Sequence, residues 1–136
     1  MKALSIRSPW WYYILHHGKD IENRDWSTRV RGRVLIHAAK WWKMEEVGED
    51  FGCADRIAGT DNQRNPTTVL AVGLGRGHIV GSVEIVDCVE HSDSPWFFGT
   101  YGFLLRAPIT LVRPIPFRGA LGFFDVPDSL IPEAKS

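Results

Sequence analysis

The run from His78 to Val89 constrains the fold more than any other part of the chain. Ile79, Gly81, Val83, Ile85 and Val89 fall on one side of an extended chain, and His78, Ser82 and Glu84 on the other. This is the two-residue period of a strand with a buried face. Shorter strands are expected at residues 3–6 and in Arg33-Val34-Leu35-Ile36-His37-Ala38, which follows the turn at Arg31-Gly32. Two more are expected near residues 103–113 and 121–126, with Arg113-Pro114-Ile115-Pro116 between them. Gly and Pro turns separate these strands, and no alternating βαβ units occur. The pattern therefore predicts an α+β fold, a small, mostly antiparallel β-barrel flanked by helices.

Two helices are expected, both early. Ser8 reads as an N-cap with Pro9 at the first helical position, the helix running on through Trp10 to His17. Gly18 supplies its left-handed end. Trp10, Tyr13 and Ile14 share a face of this helix and read as core. Residues 41–58 carry a second helical pattern through Trp42, Met44, Val47, Phe51, Ala54 and Ile57, with Gly48 and Gly52 splitting it into two pieces. Gly59 to Thr67 reads as a polar, mobile loop. Gly73-Leu74-Gly75-Arg76-Gly77 lacks the strand–loop–helix setting of a phosphate loop and leads into the long strand instead. Residues 94–102 form an aromatic loop. One domain is expected over residues 1–127, with a polar, frayed tail at 128–136.

Composition removes several function classes. No apolar run reaches the roughly 18 residues of a membrane span, and Met1 to Arg7 lacks a signal-peptide core. A cytoplasmic protein with no membrane partner is expected. Cys53 and Cys88 form no metal-binding pattern and read as reduced, buried thiols. The adjacent His16-His17 lacks the spacing of a metal clamp, so neither metal nor cofactor is expected. Sixteen basic and sixteen acidic residues balance overall, but they are unevenly spread. Lys19 to Lys43 holds seven bases against three acids, and Glu45 to Asp55 holds five acids and no base. Six tryptophans are the other oddity, four of them in the doublets Trp10-Trp11 and Trp41-Trp42.

Lys19, Glu22 and Arg24 stand close together in a short segment that reads as extended, where Glu22 and Arg24 project to the same side. Two cations and a carboxylate can hold a phosphate and also hydrogen bond a base edge, the carboxylate accepting from an exocyclic amino group. The same residues also make an ordinary surface ion pair, worth about 0–1 kcal/mol.

Taken in order, the motifs resemble the ASCH domain family. The opening Leu4-Ser5-Ile6-Arg7-Ser8-Pro9-Trp10 fits, and Gly18-Lys19-Asp20-Ile21-Glu22-Asn23-Arg24 is the family signature G-x-K-x-x-E-x-R one residue tighter. Trp26-Ser27-Thr28, Arg31 to Ala38, Ile79 to Val83, Ser94-Pro95-Trp96-Phe97, Tyr101-Gly102 and Pro114 to Gly119 continue the match. The resemblance implies a PUA-like barrel whose cleft holds RNA, another single-stranded nucleic acid, or a (modified) nucleoside or nucleotide. The expected ligand-binding residues are Lys19, Glu22, Arg24, Trp26, Arg29, Arg31, Lys40, Ser82, Trp96 and Tyr101.

Some bacterial members of the family are amidohydrolases of acetylated cytidine with a K-x-x-T pattern, and for others ribonuclease activity is claimed. Here Lys19 matches the Lys, but Glu22 stands where the Thr hydroxyl would be, so acetylated cytidine is expected to be a poor substrate. Glu84 is a candidate for the distant carboxylate. As an enzyme, the protein would be a metal-independent hydrolase using Lys19 and Glu22 as acid and base. His37, in an apolar strand, reads as a core histidine. A protein-interaction module using exposed aromatics is the third reading, and oligomeric state stays open.

Overall fold

The computed structural model describes residues 1–131. Six strands make one mixed sheet: β1 (Lys2–Ile6), β2 (Ile21–Arg24), β3 (Gly32–Ala38), β4 (His78–Val89), β5 (Tyr101–Pro116) and β6 (Phe123–Asp125). Three helices lie between them: α1 (Trp10–His16), α2 (Met44–Ala58) and α3 (Pro66–Gly75). The strand order is β2-β5-β4-β3-β1-β6, antiparallel throughout except for the parallel pair β1 and β3. This is the expected α+β class, with the sheet curled into a partial barrel. No helix among the described residues is long and apolar enough to cross a membrane.

The curl is visible in contacts between strands far apart in the order. Arg24 at the end of β2 donates to the Ser5 carbonyl on β1 at 2.6 Å. Phe103 on β5 stacks on Phe123 of β6, with 6.2 Å between ring centroids. Both faces of the inner strands are buried. Leu4, Ile6, Val34 and Ile36 enter the main core with Tyr13, Ile14, Phe51 and Phe103. Their neighbours Ala3 and Leu35 enter a second core with Leu111, Val126 and Ile131.

β4 occupies the expected residues, but its faces are not the expected ones. Ile36 pairs with Gly81 and His37 with Ile79, so Val80 is an extra residue on β4. Such a bulge inverts the alternation beyond it. Ile79 therefore joins the second core, while Val80, Val83 and Ile85 join the main one. Gly81 sits where a Cβ would lie 2.5 Å from the Ile109 carbonyl and 2.7 Å from Leu15, so only glycine lets α1 and β5 approach this closely.

The helices differ more. Pro9, not Ser8, is the N-cap of α1, and Ser8 Oγ accepts the Trp11 indole N–H at 2.9 Å instead. Gly18 has the expected positive φ, 71°. α2 is one continuous helix through both glycines, with Gln63 donating to the Gly48 carbonyl at 3.0 Å. The expected mobile loop holds a 3-10 turn (Asn62–Arg64) and the start of α3. Asn65 caps that helix, accepting from Thr67 N at 3.1 Å and Thr68 N at 3.4 Å, with Pro66 in its first turn. β5 runs on through Arg113 to Pro116, which the sequence reading placed between strands. After Pro127, Asp128 takes the N-terminal ammonium at 2.6 Å and Ile131 is fully buried. Residues 132–136 of the expected tail lie outside the described residues.

Asp55 ties the 60–63 segment to α1. Its carboxylate accepts from Tyr13 Oη at 2.5 Å, Thr60 Oγ1 at 2.6 Å, Gln63 N at 3.0 Å and Asn62 N at 3.1 Å. Burial pushes its pKa up, but these hydrogen bonds outweigh burial and hold it below the usual Asp range. Asp55→Ala is expected to lower stability by about 3 kcal/mol in urea unfolding at neutral pH, since it strands a buried hydroxyl and two N–H groups. The folded pKa lies below the unfolded one, so the stabilisation is complete above about pH 4–5 and is lost as pH falls through the folded pKa. The gap between wild type and Asp55→Ala should therefore close in acid and stay constant toward neutrality.

Candidate functional site

β2 carries the signature charges at one end of the sheet. Lys19 and Glu22 are almost wholly enclosed, at 4% and 7% exposure. Lys19 Nζ donates to the Ile21 carbonyl, lies 3.9 Å from Glu22 Oε1 and sits 5.5 Å from the centre of the Trp10 ring. Arg24 donates to Glu22 Oε2 from Nε at 3.0 Å, and its Nη2 lies within ion-pair distance of the same oxygen at 2.9 Å. Its guanidinium also stands 5.7 Å from the Trp26 ring. Burial pushes the Lys19 pKa below the usual lysine range, against the upward pull of Glu22 and Asp20.

These groups line a cleft of about 680 Å³ together with Trp10, Trp26, Trp41 and Phe98. Trp26 is held edge-on against Phe103 and Phe123, at 5.4 and 5.8 Å. Phe98 is positioned by Asn23, which donates to the Trp96 carbonyl at 2.9 Å and accepts from Phe98 N at 2.8 Å. At another side of the cleft Asp50 takes Arg7 at 2.5 Å and the Trp10 indole N–H at 3.1 Å. Each cation lining this cleft therefore has a carboxylate partner within 4.0 Å. Such a cleft suits a flat ring between aromatic faces better than a string of phosphates. Glu22 Oε1 lies beyond hydrogen-bond distance of Lys19, and so it can accept from a ligand amino group.

Of the ten expected binding residues, Lys19, Glu22, Arg24 and Trp26 meet here. The others do not line this cleft. Arg31 and Tyr101 line a separate depression, where Arg31 bonds the Thr28 and Val30 carbonyls and Asp87. Arg29 is exposed and lines neither hollow. Ser82 is fully buried and accepts from Arg33 at 2.9 Å. Trp96 packs into the core 6.2 Å from Tyr13, leaving only its backbone to serve the loop. Lys40 lies on an adjoining hollow.

Glu84 pairs with Arg106 at 2.8 Å, away from the cleft. His37 is the expected core histidine, at 2% exposure. Its Nε2 faces the Phe117 carbonyl at 2.8 Å, which fixes the proton there, so Ser5 donates to Nδ1 at 2.8 Å. Burial keeps its pKa below the usual range. Both thiols are free but only half-buried, and Cys53 lines the cleft. No cluster of three His, Cys, Asp or Glu side chains fit to hold a metal occurs among the described residues.

Sequence reasoning missed Trp10, Asn23, Trp41 and Phe98. Trp10 was assigned to the core on helical spacing; it does pack against the main core, but it is only partly buried and also borders the cleft beside Lys19. The aromatic 94–102 loop was singled out through Trp96 and Tyr101, but the ring that faces the cleft is Phe98, held by the Asn23 amide. The Trp41-Trp42 doublet was a visible signal without a direction: Trp41 is 63% exposed and Trp42 is held under Arg76.

The sequence model of the ASCH domain matches residues 4–98. The chain is also 27% identical to the human (Homo sapiens) protein "Activating signal cointegrator 1" over 131 residues, an alignment covering 86% of this chain and 21% of that protein. The chain thus spans about a fifth of that relative's length.

Glu22 is the common partner of two largely enclosed cations, which makes it the member whose loss should matter most. Glu22→Leu is expected to cost about 3 kcal/mol in urea unfolding, because it leaves Lys19 and Arg24 uncompensated. Lys19→Met in that background should recover part of the loss. Strict additivity of the two changes in a double-mutant cycle would show that the pair is not coupled.

Proposed function

The chain belongs to the ASCH domain family, a PUA-like and generally RNA-binding group, and from that footing we propose that its cleft receives one nucleoside of an RNA, or a free nucleoside. The observation that carries this reading is the enclosure of the Glu22–Arg24 pair among Trp10, Trp26, Trp41 and Phe98. Rings supply faces for a base, at about 1–3 kcal/mol per stacked base. Glu22 supplies an acceptor for an amino group, and Arg24 holds it in place. The charge balance of the cleft favours base recognition over phosphate binding as its task.

The test is titration of wild type and Glu22→Gln with cytidine and uridine, and with short oligomers of each. Gln keeps the shape and removes the charge. Cytidine binding is expected to weaken by about 1–3 kcal/mol and uridine binding much less. Equal changes for both would leave Glu22 as a partner of Lys19 and Arg24 only. Absence of any nucleoside or RNA binding by wild type at low salt would overturn the reading.

The lowered pKa of Lys19 favours a second reading, metal-independent hydrolysis of RNA or of an acylated base, with Lys19 as the acid and the Glu22 carboxylate as the base on water. Turnover by wild type in the presence of EDTA that is lost in Lys19→Ala supports it. Equal turnover by both would assign the activity to a contaminant.

A further inference from the structure

A second hollow, of about 900 Å³, adjoins the cleft and shares Ser5, Ala39 and Trp41 with it. Its charge is of a different kind. Lys40, Arg76 and Arg118 line it, and no Asp or Glu does so among the described residues. None of these three has a carboxylate within ion-pair distance among those residues. In the first cleft every lining cation is matched.

Arg76 is held by its side chain and Arg118 by its backbone segment. Arg76 lies 4.6 Å from the centre of the Trp42 ring and donates to the Gly73 carbonyl at 3.2 Å and to the Lys40 carbonyl at 3.5 Å. Stacking on an indole costs a guanidinium little of its charge and fixes its plane. Arg118 arrives on the segment after β5. That segment is pinned by the His37–Phe117 hydrogen bond and laid down at Gly119, where a Cβ would meet Ser5 Oγ at 2.6 Å and the His37 ring at 2.7 Å. A segment pressed this closely onto β1 and β3 presents Arg118 from a fixed base.

We propose that this second hollow is the track of the phosphodiester backbone of a single-stranded RNA whose base occupies the first cleft, an inference that rests on the reading of that cleft above. Unpaired cations beside a charge-balanced ring pocket divide the ligand into its two chemistries, anionic backbone and flat base. The natural ligand is then a polynucleotide rather than a free nucleoside.

The test compares wild type with Lys40→Gln/Arg118→Gln, both exposed positions, using cytidine and a labelled cytidine hexaribonucleotide at several salt concentrations. Wild type is expected to bind the hexamer with a log–log salt slope near −2, from about three phosphate contacts at about 0.7 each. The double variant should lose at least about tenfold in hexamer affinity at low salt, and its slope should flatten by about 1.4. Cytidine binding should not change. A hexamer affinity and slope equal to wild type would overturn the track. If cytidine fails to bind wild type while the hexamer binds through Lys40 and Arg118, the track stands and the base reading of the cleft falls. Binding of neither ligand to wild type removes both.

Discussion

A lysine ammonium enclosed to 4% exposure must find its counter-charge and hydrogen bonds inside the protein. Here the requirement is met by a chain of contacts: Lys19 to the Ile21 carbonyl and Glu22, Glu22 to Arg24, and Arg24 to the Ser5 carbonyl. That chain runs from β2 to β1, which lie at opposite parts of the sheet order. Satisfying one buried cation and holding the curl of the sheet are therefore the same set of interactions. The tryptophans complete the enclosure, Trp10 beside the ammonium and Trp26 beside the guanidinium.

The two adjoining hollows show how a chain with no net charge can still present a local patch of uncompensated positive charge. Sixteen acids and sixteen bases cancel in the sum, but not place by place. Carboxylates are spent on the cleft, where Glu22 and Asp50 hold Lys19, Arg24 and Arg7. Among the described residues they are absent from the lining of the neighbouring groove. What matters for a polyanion is the local imbalance, within a screening length of about 8–10 Å.

Much of the fold was legible where one physical rule dominated. β4 followed from its alternation and α2 from the spacing of Val47, Phe51 and Ala54. The signature charges were placed correctly because parity along an extended strand puts Glu22 and Arg24 on one side. α3 escaped notice because Val69 to Leu74 is apolar all round, with Leu70 and Leu74 exposed, so no periodic stripe marks it. Its Asn65-Pro66 start was in view but was read as part of a polar loop. Ile79 was read onto the face of Val83 and Ile85, since the bulge at Val80 is a tertiary choice that leaves little trace in the pattern. In the site, residue type was legible and direction was not. Trp96 and Phe98 are two residues apart, and the Asn23 amide decides that one enters the core while the other borders the cleft.

β2 is hydrogen-bonded along one side only, to β5, so it ends the sheet. A terminal strand of this kind offers open N–H and C=O groups to any other extended chain, including another molecule's. Charged side chains that point inward from such a strand oppose the addition of a further strand. Glu22 and Arg24 are placed in that way, and Arg24 spans the gap to β1. The side chains that line the cleft thus also place charge along the open margin of the sheet, where edge-to-edge pairing with another chain would have to begin.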